Sequence, residues 1–357
     1  MPKHWLFRPD PESRPADNEA DRLQISPFLH RLLRIRGLTG AREMDVFLSP
    51  LNRHLAHHSA IPGMDQAAQV LAQALNQGRQ LAIWGDYDVD GVTSTSLVLD
   101  FLRHRNISAL HHIPDRLSEG YGMNAAGVEQ LAEQGVQIIL TVDCGISDMA
   151  AVARAKELGL MVVVTDHHLP GEDLPPADAA CNPRLGACLL PGDSPAPTPM
   201  LPEREQDPYG FQHLAGVGVV FHLMAAINRM LDQDRFGPPM DMKSLLDLVA
   251  LGTLADVVPL NGQNRILTKN GLLLLAQGSR PGLAALKEVS GYAVDAPLGA
   301  GQVSFQLAPR INAAGRMGHA EDALELLLST DFMEARPPAR LLNELNTKRR
   351  AEEDRIL

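Results

Sequence analysis

Short uninterrupted apolar runs alternate, through the middle of the chain, with stretches whose apolar positions recur at helical spacing. Met64 to Leu75 is helical in pattern and closed by Gly78, and Leu81-Ala82-Ile83-Trp84 follows as a buried-strand run ending at Gly85. The alternation then repeats. Thr93 to Arg105 predicts a helix, Ile107 to Ile113 a strand, Asn124 to Gln134 a helix and Val136 to Val142 a strand. Asp148 to Leu158 predicts a further helix and Met161 to Val164 a further strand, which stops at Thr165-Asp166-His167-His168. Strands separated by helices of this length imply βαβ crossovers, hence an α/β fold with a mainly parallel sheet flanked by helices. Polar clusters stand just past the strand ends, where such sheets place their sites.

The flanks read differently. Residues 1 to about 60 are polar with short apolar pieces, such as Phe28 to Ile35, that predict one or two amphipathic helices. Ten of the 26 prolines fall between Pro170 and Pro208, and Leu190 to Tyr209 has no periodicity, so it reads as an irregular insertion. Beyond it the pattern is mostly helical: Leu214 to Leu231, Ser244 to Leu254, Gly271 to Ala276, Glu321 to Leu328, and Ala339 to the end. This organisation suggests a helical segment over 1–65, a catalytic α/β core over 66–260 and a helical extension over 261–357. The last helix carries no stop signal, which reads as a chain cut within a connecting helix.

Composition narrows the class. With 45% hydrophobic and 21% charged residues among 357, the chain is ordinary globular material of two or three structural units. A net charge of −11 advertises no broad basic surface, so a nucleic-acid partner would be held by local patches or bound cations. Cys144, Cys181 and Cys188 are too few and too irregular for a disulfide framework or a thiolate zinc site. No signal sequence or long apolar span is present, and the expected compartment is the cytoplasm, with no membrane partner.

Candidate chemistry lies at the strand ends. Asp86, Asp88 and Asp90 alternate in Gly85-Asp86-Tyr87-Asp88-Val89-Asp90-Gly91, so an extended backbone would point all three carboxylates to one side. Clustered anions repel, and a divalent cation relieves the repulsion. The same letters open a calcium-binding EF-hand loop, but position twelve, where a bidentate Glu is needed, is Leu97, and the preceding residues are strand-like. An acidic turn capping the next helix through Thr93 is the bland alternative. Asp143 ends another strand and Asp166-His167-His168 the next; alone, Asp143 would be a cap or turn former, but adjacent parallel strands bring both groups to one sheet edge. Asp256 sits in an apolar stretch and needs a partner, which could be a buried Arg or backbone amides. His54, His57, His58, His111 and His112 have no comparable acidic company and read as surface or partly buried residues.

In order, G-D-Y-D-V-D-G, T-V-D-C-G, T-D-H-H and L-A-D-V-V-P-L resemble the four metal-site motifs of the DHH phosphoesterase family. Arg116 to Gly122, Leu214 to Gly218 and Pro309 to Arg316 resemble the members of that family that degrade single-stranded DNA from its 5′ end. The resemblance runs from about Leu23 onward. It implies a two-ion centre, Mn²⁺ or Mg²⁺, with Asp88, Asp90, Asp143, His167 and Asp256 as ligands and Asp143 as the bridge. It further implies that Asp86 and Asp166 orient ligands, that His168 meets the substrate phosphate, and that Arg310, Asn312 and Arg316 bind phosphate oxygens, although Asn312 also fits a polar capping loop. Two cations about 3.5–4 Å apart clamp the attacking and leaving oxygens of an in-line displacement.

The activity so implied is metal-dependent 5′-to-3′ hydrolysis of single-stranded DNA to 5′-mononucleotides, in DNA repair and recombination. Implied partners are single-stranded DNA, a single-strand-binding protein and a helicase, with the chain a monomer. Family members of this kind continue into a DHH-associated domain and an OB-like domain, neither of which fits after Leu357, so a catalytic core without its substrate-gripping half is expected. Two other readings compete: a DHH phosphatase or phosphodiesterase for pyrophosphate, short oligonucleotides or cyclic dinucleotides, and a catalytically silent DNA-binding scaffold.

Overall fold

The computed structural model describes residues 19–38, 40–185, 207 and 210–356. It divides into two compact units, one up to Leu55 and one from Ala56 onward. The first contains α1 (Pro27–Ile35) and α2 (Ala41–Leu48). Ser26 starts α1 by accepting the Leu29 N–H at its hydroxyl, 3.2 Å, with Pro27 in the first helical turn where no N–H is needed.

The second unit is built on five parallel strands: β1 (Leu81–Trp84), β2 (Ala109–His112), β3 (Ile138–Val142), β4 (Met161–Thr165) and β5 (Ala179–Cys181), in the order β2-β1-β3-β4-β5. α3 (Met64–Asn76) precedes the sheet; α4 (Val89–His104), α5 (Ala125–Glu133) and α6 (Met149–Glu157) are its crossovers. Ala82, Trp84, Ile139, Val162 and Val164 bury one face against Val128, Leu131, Val152 and Ala155 of α5 and α6. α3, α4 and α7 (Gly216–Ile227) contact the strands on the other side. β1, β3 and β4 are buried almost throughout, which is why they read as continuous apolar runs, whereas β2 is the half-exposed edge.

α4 is enclosed in turn by α7, α8 (Leu246–Ala255) and, further along the chain, α12 (Ala320–Leu328). Its Thr93, Thr95 and Ser96 are fully buried, and their hydroxyls donate to the carbonyls of Val89, Gly91 and Val92 at 2.8–2.9 Å. The helix thus carries polar residues into the interior with these hydroxyls paired. α9 (Gly262–Gln277), α10 (Pro281–Val289), α11 (Ala308–Met317) and α13 (Phe332–Ile356) complete the helical layer. No helix among the described residues is long and apolar enough to cross a membrane.

Several sequence expectations need correction. α4 begins at Val89, a turn before the expected Thr93, so the backbone is not extended through Asp90. β5, α10 and α11 had no predicted counterpart, and α13 starts at Phe332 with Pro337 and Pro338 inside it, where prolines mask a helical pattern. α9 begins at Gly262, well before the expected Gly271, because polar residues on either side of Ile266 and Leu267 broke the apolar pattern. Cys188 and, apart from Asp207 and Gly210 beside it, the Pro-rich insertion lie outside the described residues.

Candidate metal centre

β1 and β3 are neighbours, yet the chain leaves β1 for β2 on one side before it returns to β3 on the other. Their carboxyl ends flank the switch point at which parallel sheets form a crevice. Asp86 follows β1, Asp143 follows β3 and the Asp166-His167-His168 turn follows β4.

After Asp86 the chain turns at once into α4. Asp88 is the N-cap, its Oδ1 accepting from the N–H of Asp90 (2.8 Å) and Gly91 (3.1 Å), which places a carboxylate at the positive end of the helix. Gly91 packs against the Asp86 backbone with no room for a Cβ. The three acids therefore converge through a tight strand-to-helix turn, not along one face of an extended segment. Asp90, in the first turn, is buried and accepts from the N–H groups of Gly216 (2.7 Å) and Val217 (2.9 Å) at the start of α7. Asp143 takes a left-handed backbone, φ 63°, which Asp tolerates better than most residues, and its N–H donates to Thr165 O at 3.1 Å.

Three groups of potential ligands result, each with its atoms within 4.8 Å of one another: Asp86, Asp88 and Asp143; Asp90, His167 and Asp256; Asp143, His167 and His168. Asp143 belongs to two of them. His167 Nε2 lies 3.1 Å from Asp143 Oδ1 and 3.8 Å from Asp90 Oδ2, and its Nδ1 lies 3.7 Å from Asp256 Oδ2. Asp86 Oδ1, Asp143 Oδ1, Asp256 Oδ2 and His167 Nδ1 are buried without a hydrogen-bond partner among the described residues. Burial, then the neighbouring carboxylates, raise Asp90 and Asp143 well above the usual carboxylate range and push Asp86 and Asp256 up to about 7. Burial lowers His167 to about 4, which keeps its imidazole neutral and able to ligate. Crowded oxygens lacking donors, with one neutral imidazole, fit hard or borderline divalent cations such as Mn²⁺ and Mg²⁺.

Asp166 differs. Its oxygens accept from the N–H groups of Ile146 (3.0 Å), His167 (2.7 Å) and His168 (3.0 Å), and Oδ1 faces His168 Nδ1 at 2.7 Å. Although burial opposes it, the His168 hydrogen bond holds this carboxyl below its ordinary range, and the same bond raises His168. Asp166 thus fixes the turn that carries both histidines, while the half-exposed His168 faces outward. Asp86 stands instead among the candidate ligands, beside Asp88, with an oxygen to spare.

The Pro309 to Arg316 segment is α11. Arg310 Nε donates to Asn343 Oδ1 (3.0 Å) on α13, and a second guanidinium nitrogen is engaged by the Gln306 carbonyl. Asn312 is half-buried on the same helix, and Arg316 is exposed in its last turn. Gly315 packs directly against the Tyr87 carbonyl, which sets this end of α11 beside the acidic turn. No ion pair among the described residues joins Arg310 or Arg316 to the clustered acids. His111 and His112, on the edge strand, pair with Glu321 (3.2 Å) and Glu119 (2.8 Å).

Within the Arg116 to Gly122 and Leu214 to Gly218 segments, and at Gly252, the sequence assigned no individual roles. Tyr121 brings its hydroxyl 3.3 Å from the Asp143 carbonyl and 3.2 Å from His168 Nδ1. Glu119, in the same loop, accepts from Asn124 Nδ2 (3.1 Å) and the Asp115 N–H (3.0 Å), so it builds the loop that delivers Tyr121. At Gly252 on α8 a Cβ would fall 2.9 Å from Asp90 Oδ1, and at Gly216 it would fall 2.5 Å from Asp143 Oδ1. Small residues at helix positions facing acids were the available signal.

The model of the DHH family, N-terminal domain, matches residues 80–253. The single-stranded-DNA-specific exonuclease RecJ of Salmonella typhimurium is 40% identical over 348 residues, 94% of this chain and 56% of that protein. A crystal structure of exonuclease RecJ bound to manganese shares 38% identity and a TM-score of 0.68, covering 83% of this chain and 68% of that one. RecJ of Thermus thermophilus in complex with Mn²⁺ shares 34% identity and a TM-score of 0.74, over 95% of this chain and 44% of that one. This chain spans about half the length of the curated relatives it matches.

Proposed function

This chain belongs to the RecJ branch of the DHH family, and we propose that its acidic crevice is the two-cation centre of a 5′-to-3′ exonuclease acting on single-stranded DNA. The observation that carries the reading is the convergence of Asp86, Asp88, Asp90, Asp143, His167 and Asp256 at one sheet edge, with buried oxygens that no donor among the described residues satisfies. Asp86, Asp88 and Asp143 would hold one ion, and Asp90, His167 and Asp256 the other, with Asp143 shared between them. Mn²⁺ or Mg²⁺ held there would supply a lowered pKa for water and neutralise charge on phosphate oxygens. The protein's part is orientation. The N–H groups at the start of α7 fix Asp90, Asp166 fixes both histidines, and His168 with Tyr121 faces the side from which a phosphate would approach. Arg316, and less directly Arg310 and Asn312, would meet the departing strand. The setting is DNA repair and recombination in the cytoplasm, with single-strand-binding protein and a helicase as partners and the chain acting as a monomer.

The test is a gel assay on 5′- and 3′-labelled single-stranded and duplex DNA with Mn²⁺, Mg²⁺ or chelator. Single strands are expected to be shortened from the 5′ end to mononucleotides, only with added cation, and blunt duplex to resist. Full activity in excess chelator, or equal degradation of duplex, would overturn the proposal. Preferential hydrolysis of cyclic dinucleotides or pyrophosphate would assign the centre to a phosphatase instead.

A further inference from the structure

Arg184 lies in the loop that follows β5, the strand absent from the sequence prediction. Asn182 ties this loop to the histidine turn: its Nδ2 donates to the His168 carbonyl at 2.9 Å, while its Oδ1 accepts the Arg184 N–H at 2.8 Å. Asn182 is fully buried, and the Asp166 N–H donates to the Cys181 carbonyl at 3.1 Å, so the loop has a fixed position beside the centre. Arg184 Nε is buried without a hydrogen-bond partner among the described residues. A buried guanidinium nitrogen without an acceptor, on a loop fastened to the histidine turn, is costly unless an anion comes to it.

Resting on the two-cation reading above, we propose that Arg184 binds a phosphate oxygen of the substrate strand where the β5 loop borders the histidine turn of the centre. Cations in the crevice would repel the guanidinium from the carboxylates, and a DNA phosphodiester is the anion that both can share. Arg suits the role because its charge is permanent and its donors are arranged in a fork. Arg184 thereby adds a positively charged wall to a crevice in a chain whose net charge is −11.

The proposal predicts different effects on the two ligands. Arg184→Gln should weaken capture of single strands, raising KM about tenfold, while Mn²⁺ affinity stays equal or tightens because a repelling charge is gone. With phosphorothioate-linked oligothymidylate in Mn²⁺, the slope of log affinity against log salt should become shallower by about 0.7, the value of one phosphate contact on a single strand. Arg184→Lys, which keeps the charge, should restore the slope and part of the KM. Calorimetry for Mn²⁺, anisotropy for the oligonucleotide and steady-state hydrolysis provide the three readouts. An unchanged KM and salt slope in Arg184→Gln would overturn the proposal. So would a joint loss of Mn²⁺ affinity and thermal stability, which marks a structural role. If the wild-type chain binds the strand but does not hydrolyse it, the exonuclease reading fails, and the salt slope still decides the role of Arg184.

Discussion

Asp143→Ala is expected to remove hydrolysis of single-stranded DNA, by a factor on the order of 10⁴, while leaving the sheet intact. Asp143 stands with Asp86 and Asp88 and lies 3.1 Å from His167 of the other group, so as the proposed shared ligand its loss would remove a ligand from each ion at once. The apo protein should not suffer. Burial and the adjacent carboxylates raise the Asp143 carboxyl in the folded state, so it favours folding only below its unfolded pKa, and that contribution is lost as pH rises through the folded value. In chelator the variant should therefore melt at a higher temperature than wild type at pH 8, with a smaller difference at pH 5. Added Mn²⁺ should raise the melting temperature of wild type far more than that of the variant. Wild-type turnover by Asp143→Ala would remove the bridging role, and an apo protein destabilised at pH 8 would remove the electrostatic argument.

Gly216→Ala should reduce turnover by about 10²-fold, the effect of moving a reactive group by roughly 1 Å. A methyl at Gly216 would stand 2.5 Å from Asp143 Oδ1 and 2.8 Å from its Cγ, with both groups held in place by their own backbones. Relief requires a shift of Asp143 or of the start of α7, and that helix end also holds Asp90 through the N–H groups of Gly216 and Val217. Circular dichroism should be unchanged, because Ala is the better helix former by about 1 kcal/mol, whereas Mn²⁺ occupancy should fall. Turnover within twofold of wild type would show that the crevice tolerates the methyl and that the close approach is not functional.

The sheet was legible because β1, β3 and β4 are buried on both faces, and sequences of that kind declare themselves as apolar runs bounded by acids and glycine. β5 was not: three residues, Ala179 to Cys181, set among prolines carry no period. The acids at the strand ends were legible as a group, and the adjacency of β1, β3 and β4 brings them together as expected. The local geometry was less legible. Alternation of Asp86, Asp88 and Asp90 suggested an extended segment, but Asp88 is a strong N-cap and starts α4 beneath it, so convergence comes from a turn. Asp86 and Asp166 look equivalent in sequence, yet one retains a buried oxygen without a donor and the other is saturated by three N–H groups and a histidine. No spacing rule separates them, because the difference lies in how each turn folds: Asp166 accepts from two amides and the histidine of its own turn and from the Ile146 amide of a neighbouring loop. Tyr121 and the α7 amides lie in segments the motifs had marked, but their roles were hidden for the same reason: their proximity to the acids is set by tertiary structure.

The most direct measurement is anomalous diffraction at the manganese edge from crystals of this chain grown with Mn²⁺. Two peaks are expected in the crevice at the ends of β1 and β3, both adjacent to the Asp143 carboxylate, one beside Asp86 and Asp88 and the other beside Asp90, His167 and Asp256. No peak in that crevice, or peaks that leave Asp143 without a metal contact, would contradict the account.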